Sequence, residues 1–167
     1  MRRALGVMLL CFGVAHADPT PTPAPTQLKP TTYPLATLER TVCYGTCPAY
    51  KVVVWSDGKV DWDGREFVQV KGHASKQLAP ADLDAIRAAF AAADYSALNE
   101  NYACYEMTDN PTATTSFNDG THAKTIKHYH GCHSKKGVQA LTKLEDRLDE
   151  IVKTSEWIGD GPTRGRP

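Results

Sequence analysis

Two histidines in the C-terminal third of the chain have the spacing of metal ligands. His128 and His130 are one residue apart, so on a β-strand both imidazoles point to one face and can share a zinc ion. His122 joins that face if the intervening turn has two residues. No carboxylate or further histidine stands at a diagnostic spacing, and Cys132 is expected in a disulfide. We therefore expect a pair of histidines on a solvated sheet face, with no bound metal or other cofactor.

Other polar residues could support calcium binding or catalysis, but their patterns favour turns and loops. Asp57, Asp61 and Asp63 alternate along a predicted hairpin, and the glycines beside them fit turn chemistry better than a calcium loop. Residues Tyr105 to Asp109 belong to a long loop that an enzyme could use. The sequence contains no glycine-rich phosphate loop, nucleophile elbow or pair of catalytic carboxylates. We therefore predict no catalytic residues.

The N-terminus has the pattern of a secretory signal peptide. Two arginines precede the apolar run Leu5–Val14, which is followed by the small-x-small tripeptide Ala15-His16-Ala17. A cysteine within the run raises the alternative of a lipid anchor, but the small residue expected directly before it is missing. We predict a cleaved signal peptide over residues 1–17 and a periplasmic or secreted protein.

Composition divides the rest of the chain into a linker, one domain and a tail. Residues 18–34 are rich in proline and threonine, so we predict a disordered, solvated linker. A single domain is expected over residues 35–158, followed by a flexible tail over 159–167. Lys plus Arg and Asp plus Glu number 19 each, and loss of the two leader arginines gives the mature chain a net charge of −2. This charge argues against nucleic-acid binding, and we expect no membrane insertion of the mature chain.

Four cysteines remain after removal of the leader. Cys43, Cys47, Cys104 and Cys132 allow three pairings. A predicted hairpin turn at Asp119 lies near the midpoint between Cys104 and Cys132, which favours a bridge between these two and leaves Cys43 to pair with Cys47. The alternative is a redox couple at Cys43 and Cys47. Its spacer has three residues where thioredoxin-type enzymes have two, so we expect structural disulfides.

Hydrophobic patterning predicts an α+β fold. Leu83, Ile86 and Phe90 recur at helical spacing after Pro80, and a second amphipathic helix runs from Val138. We expect an antiparallel sheet of five or six strands, with the two helices packed on one face. The predicted strands are Leu35–Val42, Ala49–Trp55, Lys59–Trp62, Glu66–Lys71, Thr112–Phe117 and Thr121–His130.

The first strands carry aromatic side chains that could form a binding surface. With tight turns, Trp55, Trp62 and Phe67 share a face with Val53 and Val60. The opposite face is also apolar, yet two helices ordinarily cover only one. The aromatic face is therefore a candidate surface for a partner or a glycan. The alternative is that it is covered, for instance by the segment Trp157-Ile158, which is expected to fold back as a hydrophobic clasp.

The motif string resembles an uncharacterised bacterial family, domain of unknown function 6438. The resemblance rests on Leu38-Glu39-Arg40, on the element Cys43-Tyr44-Gly45-Thr46-Cys47-Pro48-Ala49-Tyr50 and on the Asp57-Gly58 hairpin, and it covers about residues 36–155. It implies an exported or lipid-anchored α+β domain with no assigned activity. Cys104 and Cys132 depart from many relatives, and such an extra pair is what a second bridge requires.

These observations favour a non-catalytic binding or structural module with two disulfides and an unknown envelope or extracellular partner. Its candidate binding residues are His128, His130, Trp55, Trp62 and Phe67. The alternative is an envelope enzyme or metal-binding protein that uses the two histidines and the loop from Tyr105 to Asp109.

Overall fold

A computed structural model describes residues 32–104, 109–133 and 135–160. The predicted signal peptide, most of the predicted linker, residues 105–108 of the candidate loop and most of the predicted tail lie outside these ranges. In chain order the elements are β1 (Pro34–Arg40), β2 (Ala49–Trp55), β3 (Lys59–Glu66), β4 (Gly72–Gln77), α1 (Pro80–Ala92), a 3₁₀ turn (Tyr95–Ala97), β5 (Asn101–Tyr102), β6 (Thr112–Asn118), β7 (Ala123–Tyr129), α2 (Val138–Val152) and α3 (Ser155–Ile158).

The strands form one seven-stranded sheet in the order β4-β3-β2-β1-β6-β7-β5. Neighbouring strands are antiparallel except β5 and β7, which run parallel. The α+β class is confirmed. The prediction of an antiparallel sheet of five or six strands with two helices undercounts both the strands and the helices. The sheet is mixed, and a third, short helix follows α2. Sequence patterning missed β5 because two residues are too short to show an alternation.

α1 and α2 lie on the same face of the sheet. Phe90 of α1 stacks on Phe117 of β6 with ring centroids 4.4 Å apart. Leu148 of α2 borders a small cavity together with Leu38 and Val52 of the sheet. The opposite face carries polar and charged side chains, among them an ion pair of 2.6 Å between Arg65 and Glu39. The core is therefore built between one sheet face and the helices.

β3 is longer than predicted and displaces the strand expected at Glu66–Lys71. The Asp63-Gly64 pair lies inside β3 instead of forming a turn, and the chain turns after Glu66, where Phe67 has a φ of 54°. The next strand is β4, whose mainly polar sequence gave no strand signal. A Cβ at Gly64 would overlap the Val70 carbonyl oxygen and lie 2.7 Å from Trp62 Nε1. Close backbone approach, not turn geometry, therefore explains this glycine.

We expect Gly64→Ala to destabilise the protein by at least about 2 kcal/mol, because β3 and the segment at Val70 must separate to admit one methyl group. Urea denaturation followed by tryptophan fluorescence measures this change. Ser75→Ala on the exposed side of β4 is the matched control, with an effect within about 0.5 kcal/mol. Equal stability of the two variants would contradict the close packing at Gly64.

The predicted aromatic face is wrong in its composition. The turn between β2 and β3 comprises three residues, Ser56 to Gly58, instead of the two of a tight turn, so Val52 pairs with Trp62 and Val54 with Val60 on the helix-covered face. Trp62 is 1% exposed and stacks between Tyr50 and Trp157.

The other two aromatic candidates lie elsewhere. Trp55 is on the outer face, where its Nε1 donates to Asp61 Oδ2 at 2.7 Å, and Phe67 is an exposed residue of the loop after β3. The structure therefore does not bring Trp55, Trp62 and Phe67 to one surface.

The predicted C-terminal clasp is confirmed. Trp157 of α3 is buried and its ring lies 5.0 Å from that of Trp62. The backbone N–H groups of Gln69 and Val70 donate to the carbonyls of Ile158 and Trp157 at 3.0 and 2.9 Å. None of the helices in the described ranges has the length and apolar character needed to cross a membrane.

Candidate functional site

Helix α2 carries two carboxylates into the core. Glu145 and Asp149 are one helical turn apart and lie in the same buried stripe as Leu141, Leu144 and Leu148. Glu145 is 0% and Asp149 3% exposed. Burial of a carboxylate is costly unless cations and hydrogen-bond donors compensate for the lost water. The partners of these two groups define the candidate site.

Arg40, the last residue of β1, supplies the positive charge. Alternation along β1 points its side chain to the same face as Ala36 and Leu38. Its Nη2 lies 2.9 Å from Asp149 Oδ2, and its Nη1 lies 3.7 Å from Glu145 Oε2. Burial acts to lower the pKa of Arg40, but Asp149, Tyr50 and Glu145 together outweigh burial and hold that pKa above its ordinary value. The guanidinium is therefore charged at every physiological pH.

Asp149 is fully engaged by its neighbours. Besides Arg40, the Tyr50 hydroxyl donates to its Oδ1 at 2.5 Å and the Thr154 hydroxyl donates to the same oxygen at 2.8 Å. Arg40 Nε also lies 3.1 Å from Tyr50 Oη. Such a saturated set of charge-assisted bonds fixes the end of α2 against β1 and β2.

Both oxygens of Glu145 are bound by histidines. His128 Nδ1 lies 2.8 Å from Oε1, and His130 Nε2 lies 2.8 Å from Oε2. His128 on β7 is 2% exposed, while His130, one residue beyond the strand, is 24% exposed. The expectation that these histidines lie on a solvated sheet face is wrong, because α2 covers that face. Sequence spacing did not reveal the carboxylate, which comes from a different element.

The contacts of Glu145 set its charge state. Burial acts to raise its pKa, but the hydrogen bonds with His128 and His130 and the charge of Arg40 outweigh burial and lower the pKa from 4.5 to about 2. The carboxylate is therefore ionised in the folded protein across the physiological range. Because this pKa is lower in the folded than in the unfolded state, ionisation of Glu145 adds to the free energy of unfolding.

We expect a steep loss of stability on acidification that depends on Glu145. Because its pKa is lower in the folded than in the unfolded state, the contribution is complete above pH 4.5 and is lost as pH falls towards about 2. The change is on the order of 3 kcal/mol. Urea midpoints measured across this range test it. Glu145→Gln should flatten the profile, whereas Glu156→Gln, which alters an exposed carboxylate bound to Lys76, should leave most of the slope. Parallel profiles for the wild type and Glu145→Gln would refute this role.

The cluster borders a cleft of about 600 Å³. Arg40, His128 and His130 line it together with the start of α2. Its rim includes the Cys43–Cys47 loop, where Tyr44 is 91% exposed, and the segment Asp109–Pro111. Asp109 is the one described residue of the candidate loop, and its carbonyl accepts a hydrogen bond from the Tyr44 backbone at 3.0 Å. The cleft therefore joins part of that loop to the histidines.

Both expected disulfides are present, between Cys43 and Cys47 and between Cys104 and Cys132. The first lies in the loop from β1 to β2 at the rim of the cleft. The Cys104–Cys132 bridge does not join the two ends of one hairpin, as predicted. Cys104 follows β5, which runs parallel to β7, so the bridge joins the ends of neighbouring parallel strands. Two disulfides are typical of proteins in oxidising environments.

The remaining candidates lie apart from the cluster. The side chain of His122 is 85% exposed and pairs with Asp119 at 3.8 Å. The three aspartates considered for calcium do not converge. Asp57 accepts from the Lys59 backbone, Asp61 from Trp55, and Asp63 from Arg65.

Sequence reasoning missed Arg40, Tyr50, Glu145 and Asp149 as site residues. Arg40 and Tyr50 stand at the two ends of the segment that carried the family resemblance, and they pair across β1 and β2. Glu145 and Asp149 interrupt the apolar stripe of α2 at positions that a helical projection marks as buried. Charged residues at core-facing positions are the signal that could have found all three charged members.

One family model matches most of the described domain. The model of a family described as a domain of unknown function, DUF6438, matches residues 34–152. The match includes every member of the cluster from Arg40 to Asp149. A search of curated proteins gives no match. Because the family model spans β1 through α2, the chain belongs to the DUF6438 family.

Proposed function

We propose that this chain is an exported, non-catalytic binding module, stabilised by two disulfides, whose ligand site is the cleft beside Arg40. The observation that carries the proposal is that a buried ion cluster opens onto a cavity of about 600 Å³. Buried ion pairs are often no more stabilising than apolar residues of similar volume. The convergence of five ionisable side chains, Arg40, His128, His130, Glu145 and Asp149, beside one cleft therefore favours a role in binding.

The charges of the cleft indicate a small ligand with both signs of charge. Arg40 lines the cleft and can contact a ligand carboxylate, and Asp146, a 53% exposed partner of Arg40 at 3.7 Å, can contact a ligand ammonium group. Tyr44 and Pro48 add apolar surface at the rim. A zwitterion such as a short peptide fits this combination, and export would expose the domain to such molecules at the cell envelope.

Saturation-transfer NMR with the dipeptide Ala-Ala, recorded in the presence of EDTA, tests the proposal. We expect transfer to the wild type and its loss in Thr142→Trp, which fills the cleft from α2. Lys143→Trp places the same side chain at the next, exposed position of the helix and should retain binding. Absence of transfer to the wild type, or equal transfer to both variants, would exclude the cleft as the site.

A second candidate function is metal-dependent chemistry at the envelope. The observation that favours it is the convergence of His128, His130 and Glu145, three side chains of ligand type from two elements. Metal binding is the first condition for this alternative.

A further inference from the structure

We propose that His128, His130 and Glu145 bind one divalent transition-metal ion of the zinc class at the base of the cleft. Their potential ligand atoms lie within 4.8 Å of one another. Two imidazoles and one carboxylate are a donor set that zinc uses in sites with an open fourth position. Imidazole donors favour zinc or copper over magnesium and calcium, which prefer oxygen. The inference rests on the proposed function, because the ion occupies part of the same cleft.

The local charge favours a cation. The carboxylates of Glu145, Asp146 and Asp149 lie 3.7, 3.7 and 2.9 Å from nitrogens of the Arg40 guanidinium. Metal ligation requires neutral imidazoles, and with both histidines neutral these four charged side chains sum to −2. A divalent ion would compensate this charge without removing Arg40 from Asp149.

The hydrogen bonding of His128 is incomplete. Its Nδ1 contacts Glu145, but its buried Nε2 has no hydrogen-bond partner among the described residues. Buried polar atoms of native proteins are nearly always partnered. The unpartnered Nε2 is therefore a nitrogen donor that a bound ion would satisfy.

The geometry requires only a small rearrangement. Zinc bonds of about 2.1 Å place tetrahedral ligand atoms about 3.4 Å apart, so atoms now up to 4.8 Å apart must converge by about 1.4 Å. His130 follows the last residue of β7 and is partly exposed, so its side chain can make this movement. Arg40 would contact the ligating Glu145 from outside the metal site.

Isothermal titration calorimetry of the oxidised protein, stripped with EDTA and dialysed, tests the site with ZnCl₂, CuCl₂ and MgCl₂. We expect one zinc or copper ion per chain and no magnesium binding. Outer-shell substitutions at metal sites cost about 10–100-fold in affinity, so loss of a ligand in His130→Ala should cost at least about 100-fold. His122→Ala removes an exposed histidine far from the cluster in the sheet register and should bind like the wild type.

Failure of folding is separated from loss of the site by two measurements. His130→Ala removes the partly exposed ligand, and its circular dichroism spectrum in EDTA should match that of the wild type. Its thermal midpoint should fall, because Glu145 loses one hydrogen-bond partner, but it should stay above the temperature of the titration. Absence of zinc binding by the wild type, or unchanged affinity in His130→Ala, overturns the inference. The dipeptide experiment is done in EDTA, so binding of Ala-Ala without zinc binding would reject the ion alone. Loss of dipeptide binding with intact zinc binding would reject the zwitterion site alone.

Discussion

Replacing Arg40 with methionine is expected to destabilise the folded protein by about 3–5 kcal/mol. The variant keeps much of the side-chain volume but removes the guanidinium that lies 2.9 Å from Asp149 and 3.7 Å from Glu145. Both carboxylates are at most 3% exposed, so water cannot replace the lost charge. Removal of one partner of a buried ion pair leaves the full desolvation cost of the other.

Urea denaturation with the disulfides intact measures this loss. Arg87→Met is the matched control, because the Arg87–Asp84 pair is exposed and 3.4 Å apart, and such surface pairs contribute about 0.2–1 kcal/mol. A loss below about 1 kcal/mol for Arg40→Met would show that the cluster is not held by its guanidinium. Restoration of stability by a second substitution, Asp149→Leu, would identify the unpaired carboxylate as the cause.

Removal of the Cys104–Cys132 bridge is expected to cost about 4 kcal/mol, against about 2 kcal/mol for the Cys43–Cys47 bridge. The difference follows from the loops that they close, since the sequence separations are 28 and 4 residues. In the chain-entropy model the longer loop restricts the unfolded state more. The Cys104–Cys132 bridge also ties β5 to β7 beside His128.

The double variants Cys104→Ala/Cys132→Ala and Cys43→Ala/Cys47→Ala provide the comparison. Alanine is chosen because Cys132 is buried and serine would place a hydroxyl in an apolar position. Thermal and urea unfolding should rank the two variants in the stated order. A reversed order would mean that the small loop at the cleft contributes more to the folded state than loop closure alone allows.

Local sequence signals were sufficient for most of the secondary structure. β2 matched its predicted bounds because its β-branched and aromatic residues end at the Asp57-Gly58 turn, and the first helix was marked by Pro80 and the spacing of Leu83, Ile86 and Phe90. The errors occurred where a residue pattern typical of local structure was present for a tertiary-packing reason instead. An Asp-Gly pair is typical of a turn, yet Asp63-Gly64 lies inside β3, and Gly64 is required there because the Val70 backbone packs closely against it. One extra residue in the turn between β2 and β3 placed Trp62 on the helix-covered face instead of the predicted outer face.

The sequence predicted only the two histidines of the candidate site, because their carboxylate and arginine partners are distant along the chain. Strand alternation placed His128 and His130 together correctly. Their carboxylate partner comes from α2, at a sequence separation of 17 residues from His128, and the cation comes from β1. No spacing rule links a strand residue to a helix residue that packs above it. A charged residue within an apolar stripe is the available clue, and Arg40, Glu145 and Asp149 all satisfy it.

The imidazole ¹⁵N NMR spectrum of the oxidised protein, recorded before and after addition of one equivalent of ZnCl₂, tests the role of the cluster most directly. We expect ring-nitrogen resonances of His128 and His130 to shift together and saturate at one equivalent, while those of His122 stay unchanged. Unshifted resonances of His128 and His130 at saturating zinc, or a response confined to exposed histidines, would contradict an ion site built on Glu145.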